Sequence, residues 1–197
     1  MKKITIAILL LSGIALKAQL LPNFGGERAG LSALSFLKYD VSPRSLGLAG
    51  SSSALSGDGY SIYHNPAGMY ELPAFNLTGT NAFLGADINQ SFISSIIPFK
   101  SKTSALGMSL NVLSTGAIEE RTEFQPEGTG RIVYGTNMAT GLSYSQQLSE
   151  QFSLGLTLKY VYENLADYYN HTLTTDVGFL YKTDEKNLQF AVLLRNF

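Results

Sequence analysis

Few side chains in this 197-residue sequence have the types and spacing that catalysis or metal binding requires. The sequence has no cysteine, which excludes disulfides, thiolate nucleophiles and cysteine-based metal sites. The two histidines, His64 and His171, lie far apart, and neither has a second histidine or a carboxylate at metal-ligand spacing. No glycine-rich phosphate loop, nucleophile elbow or metalloprotease helix is present. We therefore expect no bound metal, no cofactor and no enzymatic activity.

Two groups of residues remain as candidate sites, and the first lies before residue 72. Proline fixes φ, glycine accepts positive φ, and asparagine or aspartate hydrogen-bonds to nearby backbone, which is the chemistry of tight turns. These residue types occur together at Gly57, Asp58, Asn65, Pro66, Ala67 and Gly68. The pattern predicts structural turns, and the alternative is that these residues position a ligand or a gate.

The second candidate site is a group of charged residues in the longest predicted loop, Glu119, Glu120, Arg121 and Glu123. A solvated loop face is the prediction for this group, and contact with a partner or a cation is the alternative. Three other charged residues, Lys159, Asp176 and Arg195, fall on the polar faces of predicted strands. We expect them to pair across neighbouring strands, because a buried charge needs a partner.

The composition excludes nucleic-acid binding and favours a sheet. Only 15% of the residues are charged and the formal net charge is −1, so the chain has no basic field to hold nucleic acid. The sequence contains 19 glycines, 11 tyrosines and 11 phenylalanines. Small exported domains often depend on disulfides for stability. This chain has no cysteine, so we expect it to satisfy its backbone hydrogen bonds in a β-sheet instead.

The N-terminus has the order of features that defines a secretory signal peptide. Lys2 and Lys3 precede an apolar run, residues 4–16, and the small residue Ala18 follows. The apolar run is about 13 residues long, whereas a helix needs roughly 20 to cross a bilayer. We predict a signal peptide at residues 1–18, cleaved after Ala18, and an exported protein. The alternative is a buried N-terminal helix of a cytosolic protein.

From residue 73 onward, large apolar residues alternate with small or polar ones in segments of about ten residues, each followed by a turn. This period of two is typical of β-strands with one apolar and one polar face. In the clearest segment, residues 153–162, Leu156, Leu158 and Tyr160 alternate with Thr157 and Lys159. We predict seven strands, at residues 75–85, 89–99, 103–113, 135–147, 152–163, 171–183 and 188–197.

Two details favour a membrane barrel over a soluble β-sandwich, which also alternates. The polar faces contain glycine, serine, threonine, asparagine and lysine, as a barrel lumen does, and aromatic residues such as Tyr160, Tyr162, Phe179 and Tyr181 lie near the segment ends, as girdle residues do. Short turns also alternate with longer connections, the longest at residues 114–134, which is typical of short periplasmic turns and longer external loops. The fold prediction is therefore all-β, an outer-membrane β-barrel.

The predicted strand number is odd, whereas single-chain bacterial barrels have an even number. We therefore expect residues 73–197 to be the first half of a barrel and the sequence to be a truncated form of a longer protein. Residues 19–72 do not alternate and are rich in glycine, serine and alanine. Small residues permit close backbone packing, so a hatch or plug inside the lumen is the prediction for this segment.

Residues 29–72 contain an ordered series of elements that resembles the PorV/PorQ family of outer-membrane proteins. The series is Phe36-Leu37-Lys38, then residues 43–50 (PRSLGLAG), then Ser56-Gly57-Asp58, then residues 63–68 (YHNPAG). The PorV/PorQ family is similar in turn to FadL-type long-chain fatty-acid transporters, which share the Asn-Pro-Ala-Gly stretch. The strand pattern up to Phe197 fits the first half of a member of this family.

The resemblance implies a FadL-like barrel of about 14 strands when complete, with an N-terminal hatch, in the outer membrane. It implies a role in type IX protein secretion as an accessory or cargo-handling component. The implied partners are outer-membrane lipid, other type IX components such as the translocon barrel, and secreted cargo. The alternatives are a FadL-like transporter of hydrophobic small molecules and, third, a soluble periplasmic β protein.

Overall fold

The main element of the fold is a curled antiparallel sheet of seven strands, in a computed structural model that describes residues 34–183 and 188–197. The strands of the chain are β1 (Asn76–Gly85), β2 (Ile88–Pro98), β3 (Ser104–Ser114), β4 (Ile118–Glu119), β5 (Ile132–Val133), β6 (Gly135–Gln147), β7 (Phe152–Leu165), β8 (Tyr168–Lys182) and β9 (Gln189–Leu194). The sheet has the order β1-β2-β3-β6-β7-β8-β9, and β4 pairs with β5 separately. The predicted sheet of seven strands after residue 73 is confirmed.

The two faces of the sheet alternate as the sequence predicts. In β7, Thr157 and Lys159 are buried, whereas Leu156, Leu158 and Tyr160 are exposed. We call the face that carries Lys159 the inner face and the face that carries Leu158 the outer face. Period-two sequences form this sheet because each strand then presents one chemistry to each side, and β-branched and aromatic residues suit a pleated surface.

The predicted alternation of short and long connections is wrong in part. We call the end of the sheet that carries residues 115–134 the loop end, and the opposite end the turn end. At the loop end, β1–β2 and β7–β8 are joined by only two residues each, Ala86-Asp87 and Ala166-Asp167. Ala86 and Asp87 have φ values of 48° and 57°, the left-handed conformation of two-residue hairpin turns. Neither pair contains the glycine that usually marks such a turn, so the strand predicted at 171–183 begins instead at Tyr168.

The segment of residues 36–72 packs on the inner face and forms the hydrophobic core with it. This segment contains helices Pro43–Gly47 and Ser61–His64 and a 3₁₀ helix, Pro66–Glu71. Its apolar side chains Ile62 and Met69 join Ile96 of the sheet in one buried cluster. Complete burial of such side chains contributes about 1.5–3 kcal/mol each. Short helices and turns make up this segment, and its predicted role as a hatch stays a prediction.

The sheet has two edges within the described residues, since β1 and β9 each pair with a neighbour on one side only. A half-barrel sheet is therefore shown. Among the described helices, none has the length and apolar character that a membrane crossing demands. The signal peptide predicted at residues 1–18 and the start of the predicted hatch, residues 19–33, lie outside the described residues.

Candidate functional site

The Asn65-Pro66 turn connects residues 36–72, which we call the N-terminal segment, to the inner face of the seven-stranded sheet. We call that sheet the wall. The side-chain oxygen of Asn65 accepts a hydrogen bond from the Ala67 amide at 3.0 Å, so it caps the 3₁₀ helix that begins at Pro66. The Asn65 amide Nδ2 donates to the carbonyl of Ser53 at 3.0 Å and to that of Phe179 in β8 at 3.1 Å. One side chain therefore fixes its own turn and fastens that turn to a strand.

The turn packs against two glycines of the wall that lie side by side on neighbouring strands, and we call the space above them the notch. Gly155 in β7 pairs directly with Gly178 in β8. A Cβ atom at Gly155 would lie 2.1 Å from the Ala67 nitrogen, and one at Gly178 would lie 2.1 Å from Asn65 Oδ1. At Gly155 the backbone of the turn occupies the space that a Cβ atom would need, and at Gly178 the side chains of Asn65 and Pro66 occupy it. The sequence prediction did not identify this notch, although glycine within a strand often marks the close approach of another backbone.

Two other predicted turn residues, Gly57 and Asp58, make contacts within the N-terminal segment. Gly57 has a φ of +76°, and its amide donates to the carbonyl of Gly68 at 3.4 Å. Asp58 accepts a hydrogen bond from the Tyr60 amide at 3.0 Å and pairs with Arg44 at 3.7 Å. These contacts are those of tight turns. The alternative, that these residues position a ligand or a gate, stays an alternative.

The three charges predicted to pair across strands meet on the inner face. Lys159 Nζ lies 2.5 Å from Asp176 Oδ2, and both side chains are buried. Two residues, Arg195 and Asn196, lie opposite Asp176, since Leu194 pairs with Val177 and Phe197 hydrogen-bonds to Thr175. Such a bulge re-aims a side chain.

The bulge brings Arg195 against the N-terminal segment. The Arg195 guanidinium donates to the Tyr63 carbonyl and lies 4.5 Å from the centroid of the Tyr63 ring. The Asn196 amide donates to Asp176 at 2.9 Å, and Lys159 donates to Asn196 Oδ1 at 3.1 Å. The predicted pairing is confirmed for Lys159 and Asp176, whereas Arg195 binds the N-terminal segment.

Burial changes the acid–base behaviour of two neighbouring residues in the N-terminal segment. Burial raises the pKa of Tyr63 to about 12, and the Tyr63 hydroxyl lies within hydrogen-bond distance of the Leu37 and Tyr39 carbonyls. Burial lowers the pKa of His64, although Asp40, 3.7 Å away, opposes that change. Both groups are therefore neutral near pH 7, and the hydrogen bonds of the Tyr63 hydroxyl lie within the N-terminal segment.

The predicted loop charges form ion pairs around the β4–β5 hairpin. Arg121 lies 3.5 Å from Glu119, and Glu120 lies 3.6 Å from Arg131. Arg131 also contacts Asp167 of the neighbouring turn at 2.5 Å. Glu123 has no cationic partner within 4.0 Å among the described residues, and Phe124 at the tip is 94% exposed. The loop is thus tied at its base and open at its tip, and both the predicted solvated loop face and the alternative, contact with a partner or a cation, stay predictions.

The outer face has an apolar middle flanked by aromatic residues at both ends. Near the loop end, Tyr160 and Tyr162 surround His171, with ring centroids 5.9 and 5.1 Å from that of His171. Near the turn end, Phe152 stacks on Phe179 at 5.9 Å. Exposed apolar residues occupy the outer face between these groups, among them Leu77, Ile93, Met108, Leu142, Leu156 and Leu158. Soluble monomeric proteins rarely expose so large a continuous apolar surface.

The described residues offer no group of three or more His, Cys, Asp or Glu side chains that could hold a metal ion. A search of curated proteins finds no match to the chain. A protein-family model described as "Type IX secretion system protein PorV" matches residues 25–187. The match includes the N-terminal segment, its contact with the wall and six of the seven strands of the main sheet.

Proposed function

The chain belongs to the PorV family of type IX secretion system proteins, and we propose that it acts in the outer membrane as an accessory, cargo-handling component of that system. The match over residues 25–187 is the observation that carries this proposal. The chain would act by contact with other proteins and not by catalysis. Its partners would be other type IX components, including the translocon barrel, together with secreted cargo and outer-membrane lipid.

The outer face supports a position in the lipid bilayer. Exposed leucine, isoleucine and methionine side chains occupy its middle, and aromatic residues lie near both ends. Transmembrane barrels have this distribution, because aromatic rings favour the two interfaces and aliphatic side chains favour the hydrocarbon. Among the described residues, nothing pairs with the outer sides of β1 and β9, and hydrocarbon does not tolerate unpaired backbone groups. We therefore propose that further strands, up to about 14 in all as in FadL-like barrels, complete a closed wall.

The N-terminal segment supports a sealing role for a hatch. It is joined to the wall by the Asn65 turn, the glycine notch and Arg195. A cavity of only about 20 Å³ lies between Leu37 and Tyr63 of this segment and the wall residues Asn111 and Lys159. One water molecule needs roughly 10–15 Å³, so this space holds little more than a single water. A seal of this kind would prevent leakage while the loop end engages a partner.

Deletion of the gene from the source strain tests the proposal. We expect proteins normally secreted by the type IX system to accumulate in the periplasm, and the full chain to restore secretion. A variant in which a Gly-Ser linker replaces residues 118–133 should reach the outer membrane yet restore secretion poorly. Normal secretion in the deletion strain would contradict the proposal. Loss of growth on a hydrophobic nutrient, with secretion intact, would favour the alternative of a FadL-like transporter.

A further inference from the structure

A polar cleft lies at the loop end, between the base of the β4–β5 hairpin and the β7–β8 turn. Arg131 and Tyr134, which flank β5, line it together with Asn164 of β7 and Asp167 of the turn. The volume of the cleft is about 250 Å³, the space of about eight water molecules at roughly 30 Å³ each. This space suits one six-membered sugar ring with its hydroxyl groups.

An ion pair supplies hydrogen-bond donors and acceptors in this cleft. Arg131 Nη2 lies 2.5 Å from Asp167 Oδ2, and the two side chains are 47% and 70% exposed. A guanidinium has five N–H donors and a carboxylate has two acceptor oxygens, so the pair keeps the capacity to bind a ligand. A sugar hydroxyl both donates and accepts, and neighbouring hydroxyls can therefore contact both members of the pair.

The balance of charge in the cleft favours a neutral ligand. Its one guanidinium is shared between two carboxylates, since Arg131 Nη1 also lies 3.6 Å from Glu120 Oε1. An anionic ligand such as a phosphate would meet net negative charge, and like charges repel. A cationic ligand would have to displace Arg131 from carboxylates that it already neutralises.

Tyr134 and Asn164 add an aromatic ring and an amide. Tyr134 is 59% exposed, so its ring is free to cover the apolar C–H face of a sugar. Asn164 Nδ2 donates to the Tyr162 hydroxyl at 3.0 Å, which holds the amide in place while its oxygen can accept from a hydroxyl. A sugar ring has an apolar face and hydroxylated edges, and this set of side chains complements both.

The position of the cleft agrees with a ligand at the membrane surface. Asn164 lies two residues after Tyr162 in β7 and therefore on the same, outer face, and Tyr162 contacts His171 at the loop end. With the outer face in lipid, as proposed, these aromatic residues mark the interface. The cleft then lies at the level of the lipid head groups.

We propose that this cleft binds a sugar ring, with Tyr134 stacked on its apolar face and with Arg131, Asn164 and Asp167 hydrogen-bonded to its hydroxyls. A glycolipid head group and a free saccharide present the same chemistry to these residues. The inference names a ligand beyond the proposed function, and it rests on that proposal for the position of the chain in the outer membrane.

Calorimetry on the purified full chain in detergent micelles tests the inference with two probes. The first is glycolipid extracted from the outer membrane of the source strain, and the second is the saccharide released from that glycolipid by removal of its lipid part. We expect both probes to bind. Tighter binding of the intact glycolipid would identify the membrane as the source of the sugar, and tighter binding of the saccharide would identify a soluble ligand. Binding of the glycolipid without binding of the saccharide would overturn the inference.

Substitutions in the cleft test the assigned contacts. Tyr134→Leu should weaken saccharide binding about fivefold or more because the ring is lost, whereas Tyr134→Phe should bind nearly as well as the wild type. Asn164→Ala should weaken binding about fivefold, the effect of one lost hydrogen bond. Tyr144→Leu, at the turn end of β6, is the matched control and should leave binding unchanged. Equal affinities of the Tyr134→Leu and Tyr144→Leu variants, or equally tight binding of a neutral capped Gly-Asn-Gly peptide, would overturn the inference.

Secretion assays separate this inference from the proposed function. Normal type IX secretion supported by the wild-type chain, together with no saccharide binding, would overturn the sugar site alone. Saccharide binding that depends on Tyr134, in a chain whose deletion leaves secretion intact, would overturn the proposed function and leave the sugar site standing.

Discussion

At the scale of single residues, the contact between the N-terminal segment and the wall depends on two glycines, because neither has a Cβ atom to keep the turn away. Gly155 and Gly178 leave a notch into which the Asn65-Pro66 turn fits. The sequence placed Asn65, Pro66, Ala67 and Gly68 in a turn, because those residue types have turn chemistry. It did not reveal the receiving glycines, since Gly155 and Gly178 only continue the small-residue face of their strands. A contact between segments so far apart in the sequence leaves no local pattern that identifies the partner residues.

We predict that Gly155→Ala lowers the free energy of unfolding by about 3 kcal/mol, at the upper end of the usual cost of overpacking. The new Cβ would lie 2.1 Å from the Ala67 nitrogen, so the turn must move away from the wall. Urea unfolding of the refolded protein in detergent measures the loss. Gly79→Ala is the matched control, because its nearest neighbour beyond the adjoining residues is the Phe92 carbonyl at 3.8 Å. Equal stability of the two variants would show that the notch is not tightly filled.

The buried imidazole of His64 makes stability depend on pH. Its pKa in the folded chain is lowered by burial, so the unfolded chain binds more protons than the folded chain in mildly acidic solution. Stability should therefore be highest above the unfolded pKa, about 6.5, and should fall as pH decreases below it. Urea midpoints between pH 7.5 and pH 5 measure this change. His64→Gln should reduce the pH dependence, with His171→Gln as the control for loss of a histidine, whereas a midpoint that rises with acidity would contradict the assignment.

At the scale of elements, strict alternation made the strands predictable to within a few residues. The strand predicted at 103–113 is Ser104–Ser114 in the structure, and the one predicted at 135–147 is Gly135–Gln147. The errors concentrate at connections. The Ala166-Asp167 turn lacks glycine, and the β4–β5 hairpin is too short to show a period within the long loop. Turns without glycine and two-residue strands depend on tertiary contacts, which sequence periodicity does not report.

Arg131 links the β4–β5 hairpin to the β7–β8 turn through Glu120 and Asp167. These side chains are largely exposed and their ion pairs are screened by solvent, so Arg131→Ala should change overall stability little. The hairpin should nevertheless open more often, and trypsin should then cleave after Arg121 several-fold faster than in the wild type. Arg44→Ala, which removes the pair with Asp58 at 3.7 Å, is the control. Unchanged cleavage after Arg121 would show that the loop is held by other contacts.

At the scale of the whole molecule, the two faces of the sheet have opposite environments. The inner face is covered by residues 36–72 and contains the Lys159–Asp176 pair, whereas the outer face exposes aliphatic and aromatic side chains. The sequence predicted this division, because the period of two assigns each residue to a face. It did not predict which inner-face residues contact the N-terminal segment. We propose that the outer face lies in lipid and the loop end lies outside the cell.

Labelling of single cysteines in intact cells tests this orientation, since the sequence has no cysteine. Phe124→Cys lies at the tip of the long loop, and Ser101→Cys lies in a connection at the turn end. With a maleimide that does not cross membranes, we predict labelling of the Phe124→Cys variant in intact cells and of the Ser101→Cys variant only after the outer membrane is permeabilised. Labelling of Ser101→Cys in intact cells with protection of Phe124→Cys, or recovery of both variants in the soluble periplasmic fraction, would contradict the account.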